Sequence, residues 1–262
     1  MDNIDILIFA GQSNMQGETE GLPELNPTIN NAFEYRFLSD SFIPLKHPVG
    51  EDIKGDVLCG AKNNCGTLIP DFCDEYIKNT GKKVVAVHTA RGATTIHQWL
   101  KGTDRYSCMT EKVSSAIQKV DENYKIDKVY LIWLQGESDA IIGTTQNEYE
   151  EMIINFKNTA KCDLNIEKFC IIQIGYFCRI APWLEFSKNG QGVFRDEEIM
   201  RAQVAVTERD NDFIMLSDIC KTISMDPQYM NPFMGGHYNN KGMSLIGRTA
   251  GKQLAIYEKD EK

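Results

Sequence analysis

Long apolar runs and an excess of positive charge are both missing from this 262-residue sequence. A membrane-spanning helix needs roughly 20 consecutive apolar residues, and no run approaches that length. Asp and Glu number 37 against 28 Lys and Arg, which gives a formal net charge of -9. An acidic chain does not attract nucleic acid or anionic membranes. We therefore expect neither a membrane nor a nucleic acid as a partner.

A signal peptide is also missing from the sequence as it stands. The N-terminal residues Met1–Asp5 are acidic, and no positively charged segment or cleavage site precedes the first apolar run. We expect a cytoplasmic location, although a leader removed beforehand would change that expectation.

Paired cysteine motifs are the third absence. The sequence has eight cysteines but no Cys-x-x-Cys, so a zinc cluster is poorly supported. A chain of this size buries enough apolar surface to fold without disulfides. We expect reduced cysteines, with a bond between Cys59 and Cys65 as the alternative.

Five short apolar runs predict buried strands. Each is rich in β-branched or aromatic residues and nearly continuous, as in parallel strands covered on both faces. Segments with apolar residues at helical spacing lie between them, which favours right-handed βαβ units. The sequence predicts a single α/β domain over residues 1–262, a three-layer αβα sandwich with a doubly wound five-stranded parallel sheet. The predicted strands are Ile4–Phe9, Lys83–His88, Val129–Leu134, Phe169–Ile174 and Phe213–Leu216, and the predicted helices are Leu68–Lys78, Glu111–Asn123, Glu148–Asn158, Glu197–Glu208 and Lys241–Ala255.

Two stretches, 19–66 and 176–195, are interpreted as loop insertions. They contain Gly, Pro and aromatic residues without a clear period, and long loops in a compact domain often form binding walls. Aromatic side chains there could stack on sugar rings or could simply pin the loops. The candidate wall residues are Phe33, Tyr35, His47, Tyr176, Arg179 and Trp183.

Ser13 is the candidate nucleophile. It lies in Phe9-Ala-Gly-Gln-Ser-Asn-Met-Gln-Gly17, directly after the first strand, at the sheet edge where α/β proteins bind ligands. Glycines permit a tight turn that exposes a hydroxyl. A serine that caps the following helix fits the same local pattern equally well.

A nucleophilic serine needs a base, and the sequence offers four histidines. His88 ends an apolar strand, His97 precedes Gln-Trp, and His47 lies in an extended segment between prolines. His237 lies in the glycine-rich loop Met234-Gly-Gly-His-Tyr-Asn-Asn-Lys-Gly-Met243, beyond the fifth strand and before the last helix. His237 is therefore the best candidate for the base.

Two further strand exits carry more polar residues than a loop requires. The third strand ends in Trp133-Leu-Gln-Gly-Glu-Ser-Asp139, and Thr89-Ala-Arg-Gly92 follows the second. The side chain of Gln135 and the backbone N–H groups of Gly92 and Ser13 could form an oxyanion hole. Each could equally satisfy its own turn.

Taken in order, these motifs resemble a known family. Gly11-Gln-Ser-Asn-Met15, Gly92-Ala-Thr-Thr-Ile-His-Gln-Trp99, Gln135-Gly-Glu-Ser-Asp139 and His237-Tyr-Asn-x-x-Gly242 are similar to the SGNH hydrolases. Within them they resemble the sialate O-acetylesterase and acetylxylan esterase group, carbohydrate esterase family six. The resemblance implies a flavodoxin-like fold and an esterase that removes O-acetyl groups from a carbohydrate, without metal or cofactor.

The resemblance also implies residue roles. Ser13 matches the nucleophile, His237 the general base, and Gly92 and Gln135 the further oxyanion donors. Gln12, Asn14, Arg91 and Trp183 are the candidate substrate-binding residues; Arg91 or Arg179 could meet a carboxylate, which would favour sialate.

One position departs from the family pattern. Most SGNH enzymes carry an Asp three residues before the histidine, and Met234 stands there instead. Glu137 is the preferred replacement, while Asp218 and a backbone carbonyl are the alternatives. The departure keeps open a non-catalytic carbohydrate-binding protein on the same scaffold. A hydrolase acting on a lipid, thioester or peptide ester is a further alternative. The sequence does not name the sugar, the acetyl position or the oligomeric state.

Overall fold

A twisted sheet of seven strands runs through the centre of the molecule in a computed structural model that describes residues 2–177 and 194–260. The spatial order is β3-β2-β4-β1-β5-β6-β7, and β3 is the strand that runs antiparallel to its neighbour. The strands are β1 (Asn3–Gly11), β2 (Ala32–Arg36), β3 (Ser41–Pro44), β4 (Lys83–His88), β5 (Lys125–Leu134), β6 (Lys168–Ile172) and β7 (Phe213–Ser217).

Helices cover both faces of the sheet. Those described are α1 (Ser13–Gln16), α2 (Ile69–Thr80), α3 (Asp104–Asp121), α4 (Glu137–Ile142), α5 (Gln146–Leu164), α6 (Asp196–Arg209), α7 (Ile219–Ile223) and α8 (Asn240–Asp260). Helices α2 and α8 pack together, and α3, α5 and α6 form a second contiguous group. The predicted three-layer α/β fold is confirmed.

The prediction of five strands omitted the two at one edge. The five predicted strands are β1, β4, β5, β6 and β7, while β2 and β3 come from the stretch 19–66, for which the sequence predicts a loop insertion. β2 pairs in parallel with β4, and β3 returns as a hairpin along β2. β2 carries the charged Glu34 and Arg36 between its apolar residues, and β3 has only four residues, so neither forms a continuous apolar run.

The chain reverses its direction across the sheet at β1. From β1 it passes through β2 and β3 to β4, which all lie on one side of β1, and then crosses to β5 on the other side before continuing outward to β6 and β7. Such a reversal opens a crevice at the carboxyl ends of the strands, where α/β proteins bind ligands. Residues that follow β1, β4 and β5 therefore converge there.

The core beneath that crevice is aromatic. Trp133 on β5 packs edge-on against Trp99, with ring centroids 5.3 Å apart. It also packs against the tilted ring of Phe156 in α5, with centroids 5.1 Å apart. These side chains are fully buried, so the strand ends that hold the polar residues rest on a rigid base.

Two sequence expectations concern features outside the sheet. Within the described residues, no helix combines the length and apolarity that crossing a membrane requires.

Cys59 and Cys65 are both free thiols, and Cys65 Sγ instead donates to the backbone carbonyl of Thr19 at 2.9 Å. The alternative of a Cys59–Cys65 bond is therefore wrong for this structure.

Candidate active site

Ser13 begins the short helix α1 immediately after β1. The turn depends on Gly11, which has φ 147° and lies so close to β5 that a Cβ would be 2.0 Å from the carbonyl oxygen of Leu134. Only glycine allows that approach. Because Ser13 is the first helical residue, its backbone N–H has no acceptor within the helix and remains available to an anion.

His237 meets Ser13 directly. Its Nε2 lies 2.8 Å from Ser13 Oγ, and its Nδ1 lies 2.7 Å from the backbone carbonyl oxygen of Gly235. A carbonyl only accepts, so Nδ1 carries the proton and the lone pair of Nε2 faces the hydroxyl. This is the tautomer that a general base requires. Both side chains are largely buried.

The loop that carries His237 is fixed on two sides. The backbone N–H of Asn231 donates to the carbonyl of His237 at 2.8 Å. From α1, Asn14 Nδ2 donates to the carbonyl of Gly236 at 3.2 Å. The ring of Phe177 stands edge-on to the imidazole, with centroids 6.0 Å apart. The geometry of the Ser13–His237 pair is therefore held by the fold.

The other three histidines do not contact Ser13. His88 is buried against the carbonyl of Gln16, at 3.2 Å from its Nε2, and burial lowers its pKa to about 3. His47 is also buried, accepts from the backbone N–H of Thr67, and has its pKa lowered to about 4 by that burial. His97 lies exposed on a short 3-10 helix.

Glu137, the preferred partner of the base, does not contact His237. Its Oε1 accepts from Asn14 Nδ2 at 2.8 Å, and its Oε2 is buried without a hydrogen-bond partner in the described structure. Asp218 also makes no hydrogen bond or ion pair with the imidazole in the described residues. The backbone carbonyl of Gly235 holds the ring, so the third of the proposed replacements is the one found. The prediction that Glu137 orients the imidazole of His237 is therefore wrong.

The prediction of Gln135 as an oxyanion donor conflicts with its surroundings. Its fully buried Nε2 donates to the carbonyl of Thr94 at 2.8 Å, to Gln12 Oε1 at 3.2 Å and to Asp139. Its Oε1 accepts from the hydroxyl of Tyr149 at 3.1 Å. With these acceptors around a single NH2 group, no donor remains for a substrate. Gln135 ties together the loops after β4 and β5.

Gly92, the other predicted donor, does lie beside the nucleophile. A Cβ at this position would be 3.3 Å from Ser13 Cβ. Its backbone N–H is not free, because it donates to Gln16 Oε1 at 2.7 Å. Gln16 therefore occupies the position in which a substrate oxygen would meet this donor.

The predicted substrate-binding residues have different environments. Gln12 and Asn14 flank the nucleophile and are buried; Gln12 Oε1 accepts the backbone N–H of Ser138 at 3.2 Å. Arg91 is half-buried and donates to the carbonyl of Asp56 at 2.9 Å. Trp183 lies outside the described residues.

The predicted wall residues also differ in their environments. Tyr35 is a core residue of β2 that donates to Asp40, and Phe33 packs from the same strand. Tyr176 is half-buried after β6 and donates to Glu197 at 3.3 Å. Arg179 lies outside the described residues, and so does the greater part of the stretch 176–195.

Glu18 and Lys62 were not anticipated from the sequence. The side chain of Glu18 is 4% exposed; its Oε2 lies 3.6 Å from His237 Nε2, and its Oε1 lies 2.6 Å from Lys62 Nζ. Burial lowers the pKa of His237, the Glu18 carboxylate and the Gly235 carbonyl raise it, and Lys62 lowers it. The position of Glu18 just after the nucleophile turn is a sequence feature that could have indicated its role. Its partner Lys62 is remote in sequence and gives no such indication.

A metal is not indicated by the residues around the pair. In the part of the chain that the structure describes, no group of three His, Cys, Asp or Glu side chains could hold a metal ion.

The fold and the Ser–His pair define a class. A hydrogen-bonded serine and histidine at the carboxyl edge of a doubly wound sheet have the arrangement of SGNH-type carboxylic ester hydrolases. The chain belongs to the family described as carbohydrate esterase, sialic acid-specific acetylesterase, whose family model matches residues 3–210. The resemblance noted in the sequence is thereby confirmed.

Solved structures agree on the fold. A protein of Arabidopsis thaliana is similar with a TM-score of 0.68 at 18% identity, over 97% of this chain and 98% of that chain. NanS is similar with a TM-score of 0.65 at 13% identity, over 98% of both chains. The lipase/acylhydrolase from Enterococcus faecalis has a TM-score of 0.53 at 14% identity, over 98% of this chain and 97% of that chain. Among curated proteins, none matches this chain.

Proposed function

We propose that this protein is a serine esterase that removes O-acetyl groups from a carbohydrate, with Ser13 as nucleophile and His237 as general base. The observation that carries the proposal is the 2.8 Å contact between Ser13 Oγ and His237 Nε2. The carbonyl of Gly235 at Nδ1 supports it, because it leaves Nε2 as the proton acceptor.

The first half-reaction transfers the acetyl group to the enzyme. His237 Nε2 takes the proton of Ser13 Oγ while Oγ attacks the acetyl carbonyl carbon. The resulting oxyanion is stabilised by the N–H of Ser13 and, once the substrate displaces the Gln16 side chain, by the N–H of Gly92. The imidazolium then protonates the sugar oxygen, the ester bond breaks, and the sugar leaves with its hydroxyl restored.

The second half-reaction regenerates the serine. Water gives a proton to His237 Nε2 as its oxygen attacks the acetyl carbon of the acyl-enzyme. Collapse of the second tetrahedral intermediate returns the proton to Ser13 Oγ and releases acetate. No metal or cofactor takes part in either step.

The choice of a carbohydrate ester rests on the family to which the chain belongs. The described surroundings of the pair are compatible with a polar leaving group. A cleft of about 210 Å³ beside the His237 loop is lined by the polar and charged Glu18, Glu20, Lys62 and Asn231 and also by the apolar Phe233 and Met234. Hydroxyl groups of a sugar can form hydrogen bonds with the polar side chains of this cleft.

Acetate release from a panel of esters tests the proposal. The panel contains O-acetyl sialic acid, acetylated xylo-oligosaccharides and an aryl acetate, each offered to wild type and to Ser13→Ala. We expect the wild type to release acetate from at least one acetylated sugar and Ser13→Ala to lose at least about 10³-fold in kcat.

Ser107→Ala is the matched control, since Ser107 is exposed on α3 and its substitution should leave the rate unchanged. A wild-type protein that is folded yet releases acetate from none of the esters argues against the function. Equal rates for wild type and Ser13→Ala argue against the nucleophile.

A further inference from the structure

Glu18 has an unusual location for a carboxylate in a serine hydrolase. An orienting acid belongs at Nδ1 of the base, and here that atom is bonded to the neutral carbonyl of Gly235. Glu18 lies on the opposite side of the ring, 3.6 Å from the Nε2 that exchanges protons with Ser13. It therefore faces the atom at which positive charge appears during the reaction.

The position of Glu18 is fixed by its neighbours. Its side chain is almost completely buried, with one oxygen on Lys62 Nζ at 2.6 Å and the other directed toward His237. Its backbone carbonyl accepts from Asn231 Nδ2 at 2.9 Å, which joins it to the loop of the base. The backbone N–H of Lys62 donates to Gly17 at 3.0 Å, so the cation is also tied to this segment.

Few other charges face the imidazole in the described residues. The Ser13 hydroxyl, the Gly235 carbonyl and the Phe177 ring are its uncharged neighbours. Glu137 is bonded to Asn14 and makes no contact with the ring.

Three further titratable groups lie near the carboxylate rather than on the ring. Cys65 and Glu20 line the same cleft as Glu18; burial raises the pKa of the Cys65 thiol, and Glu20 binds the backbone N–H of Asn240 at 2.9 Å. Lys62 pairs with Glu18 Oε1, whereas the other carboxylate oxygen, Oε2, lies nearest to His237. The charge nearest to the base is therefore negative.

We propose that Glu18 is a positioning residue that stabilises the His237 imidazolium in place of the missing acid, and that Lys62 sets the strength of this effect by partly neutralising the carboxylate. The proposal rests on the proposed function, since the imidazolium forms when His237 takes the Ser13 proton. A buried imidazolium without a counter-charge would be disfavoured by desolvation. A carboxylate held beside it before the reaction removes part of that barrier.

Two substitutions should shift the pKa of His237 in opposite directions. Glu18→Gln keeps the shape of the side chain but removes its charge, so the pKa of His237 should fall by about one pH unit. Lys62→Met leaves Glu18 un-neutralised, so the pKa of His237 should rise. NMR titration of the His237 imidazole measures both without any turnover.

Kinetics test whether the charge matters to the reaction. In Glu18→Gln the acidic limb of kcat/KM for an aryl acetate should move to lower pH, and the plateau of kcat should fall by roughly tenfold. In Lys62→Met the limb should move to higher pH. Glu24→Gln removes the same charge from an exposed residue outside the cleft and should change neither quantity.

Identical His237 titrations in wild type, Glu18→Gln and Lys62→Met would overturn the proposal. A shifted titration with an unchanged kcat in Glu18→Gln would overturn it as well, because the charge would then not serve the reaction. Failure of the proposed function has a different signature, namely a wild type whose ester hydrolysis is absent or insensitive to Ser13→Ala.

Discussion

Glu137 has a buried carboxyl group, and few polar contacts would stabilise its negative charge. Its Oε1 has the Asn14 amide, but Oε2 has no hydrogen-bond partner, and neither has Asn14 Oδ1. Burial, and secondarily the nearby Asp196 and Asp139, raise its pKa from 4.5 to about 7. A protonated Glu137 could offer its O–H to Asn14, which helps to hold the nucleophile turn against the His237 loop.

The pKa of Glu137 makes folding stability depend on pH. Below 4.5 both folded and unfolded chains are protonated at this position. Between 4.5 and about 7 only the unfolded chain ionises, so stability falls as pH rises through this window and is constant above it. The total loss is about 3 kcal/mol.

Glu137→Gln should remove this dependence, because a glutamine does not titrate and its NH2 group can donate to Asn14. Urea unfolding near pH 8 should show the variant more stable than wild type by up to about 3 kcal/mol, with a smaller difference near pH 5. Glu24→Gln serves as the exposed control. Parallel stability curves for wild type and Glu137→Gln would exclude a raised pKa at Glu137.

At the level of single residues, the sequence predicted which residues meet but not all of their partners. Ser13 and His237 were found because both follow strands that end at one edge of the sheet. Gln135, also at that edge, has its amide turned to Thr94 and Asp139. Thr94, which accepts from the Gln135 amide, lies on a loop from a distant part of the chain. Spacing along the sequence does not reveal this partner.

At the level of elements, helix α8 follows the loop that carries His237 and stabilises it through its packing. It begins three residues after His237 and packs along α2. Two glycines allow the close approach, since a Cβ at Gly247 or Gly251 would be 2.3 Å from the carbonyl oxygen of Leu68 or Phe72. The helix pair could not be inferred from helical spacing alone, because spacing gives a buried face but not its partner.

Gly251→Ala should destabilise the protein in spite of the better helix propensity of alanine. The added Cβ meets backbone atoms of α2 that cannot move independently, and overpacking of this kind costs about 1–3 kcal/mol. Lys252→Ala, one residue along on the exposed face of α8, should change stability by less than about 0.5 kcal/mol. Urea unfolding of both variants measures the difference, and a Gly251→Ala variant as stable as wild type would refute the close packing of α2 and α8.

The sheet illustrates the limit of prediction for elements. β1, β4, β5, β6 and β7 were predicted since strands buried on both faces are nearly continuous in apolar residues. β2 has the charged Glu34 and Arg36 between its apolar residues, and β3 is a four-residue edge strand. Their pairing with β4 and with each other is a tertiary property.

At the level of the whole molecule, one sheet and one continuous core connect the described residues. We therefore predict that the chain unfolds as a single domain. Urea transitions followed by tryptophan fluorescence, far-UV circular dichroism and esterase activity should coincide. Trp99 and Trp133 report on the α3–α5 side of the sheet, whereas activity reports on the loops at its edge. Two separated transitions would mean that the chain contains two independently folded units.

The central claim is that Ser13 is a nucleophile activated by His237, and covalent labelling tests it most directly. Wild type, Ser13→Ala and His237→Gln are treated with a fluorophosphonate, and the adduct is located by peptide mass mapping. We predict one adduct on Ser13 in wild type, none in Ser13→Ala, and labelling at least about 10²-fold slower in His237→Gln, because its base is lost. A folded wild-type protein that gives no adduct, or gives one at another serine, would contradict the account.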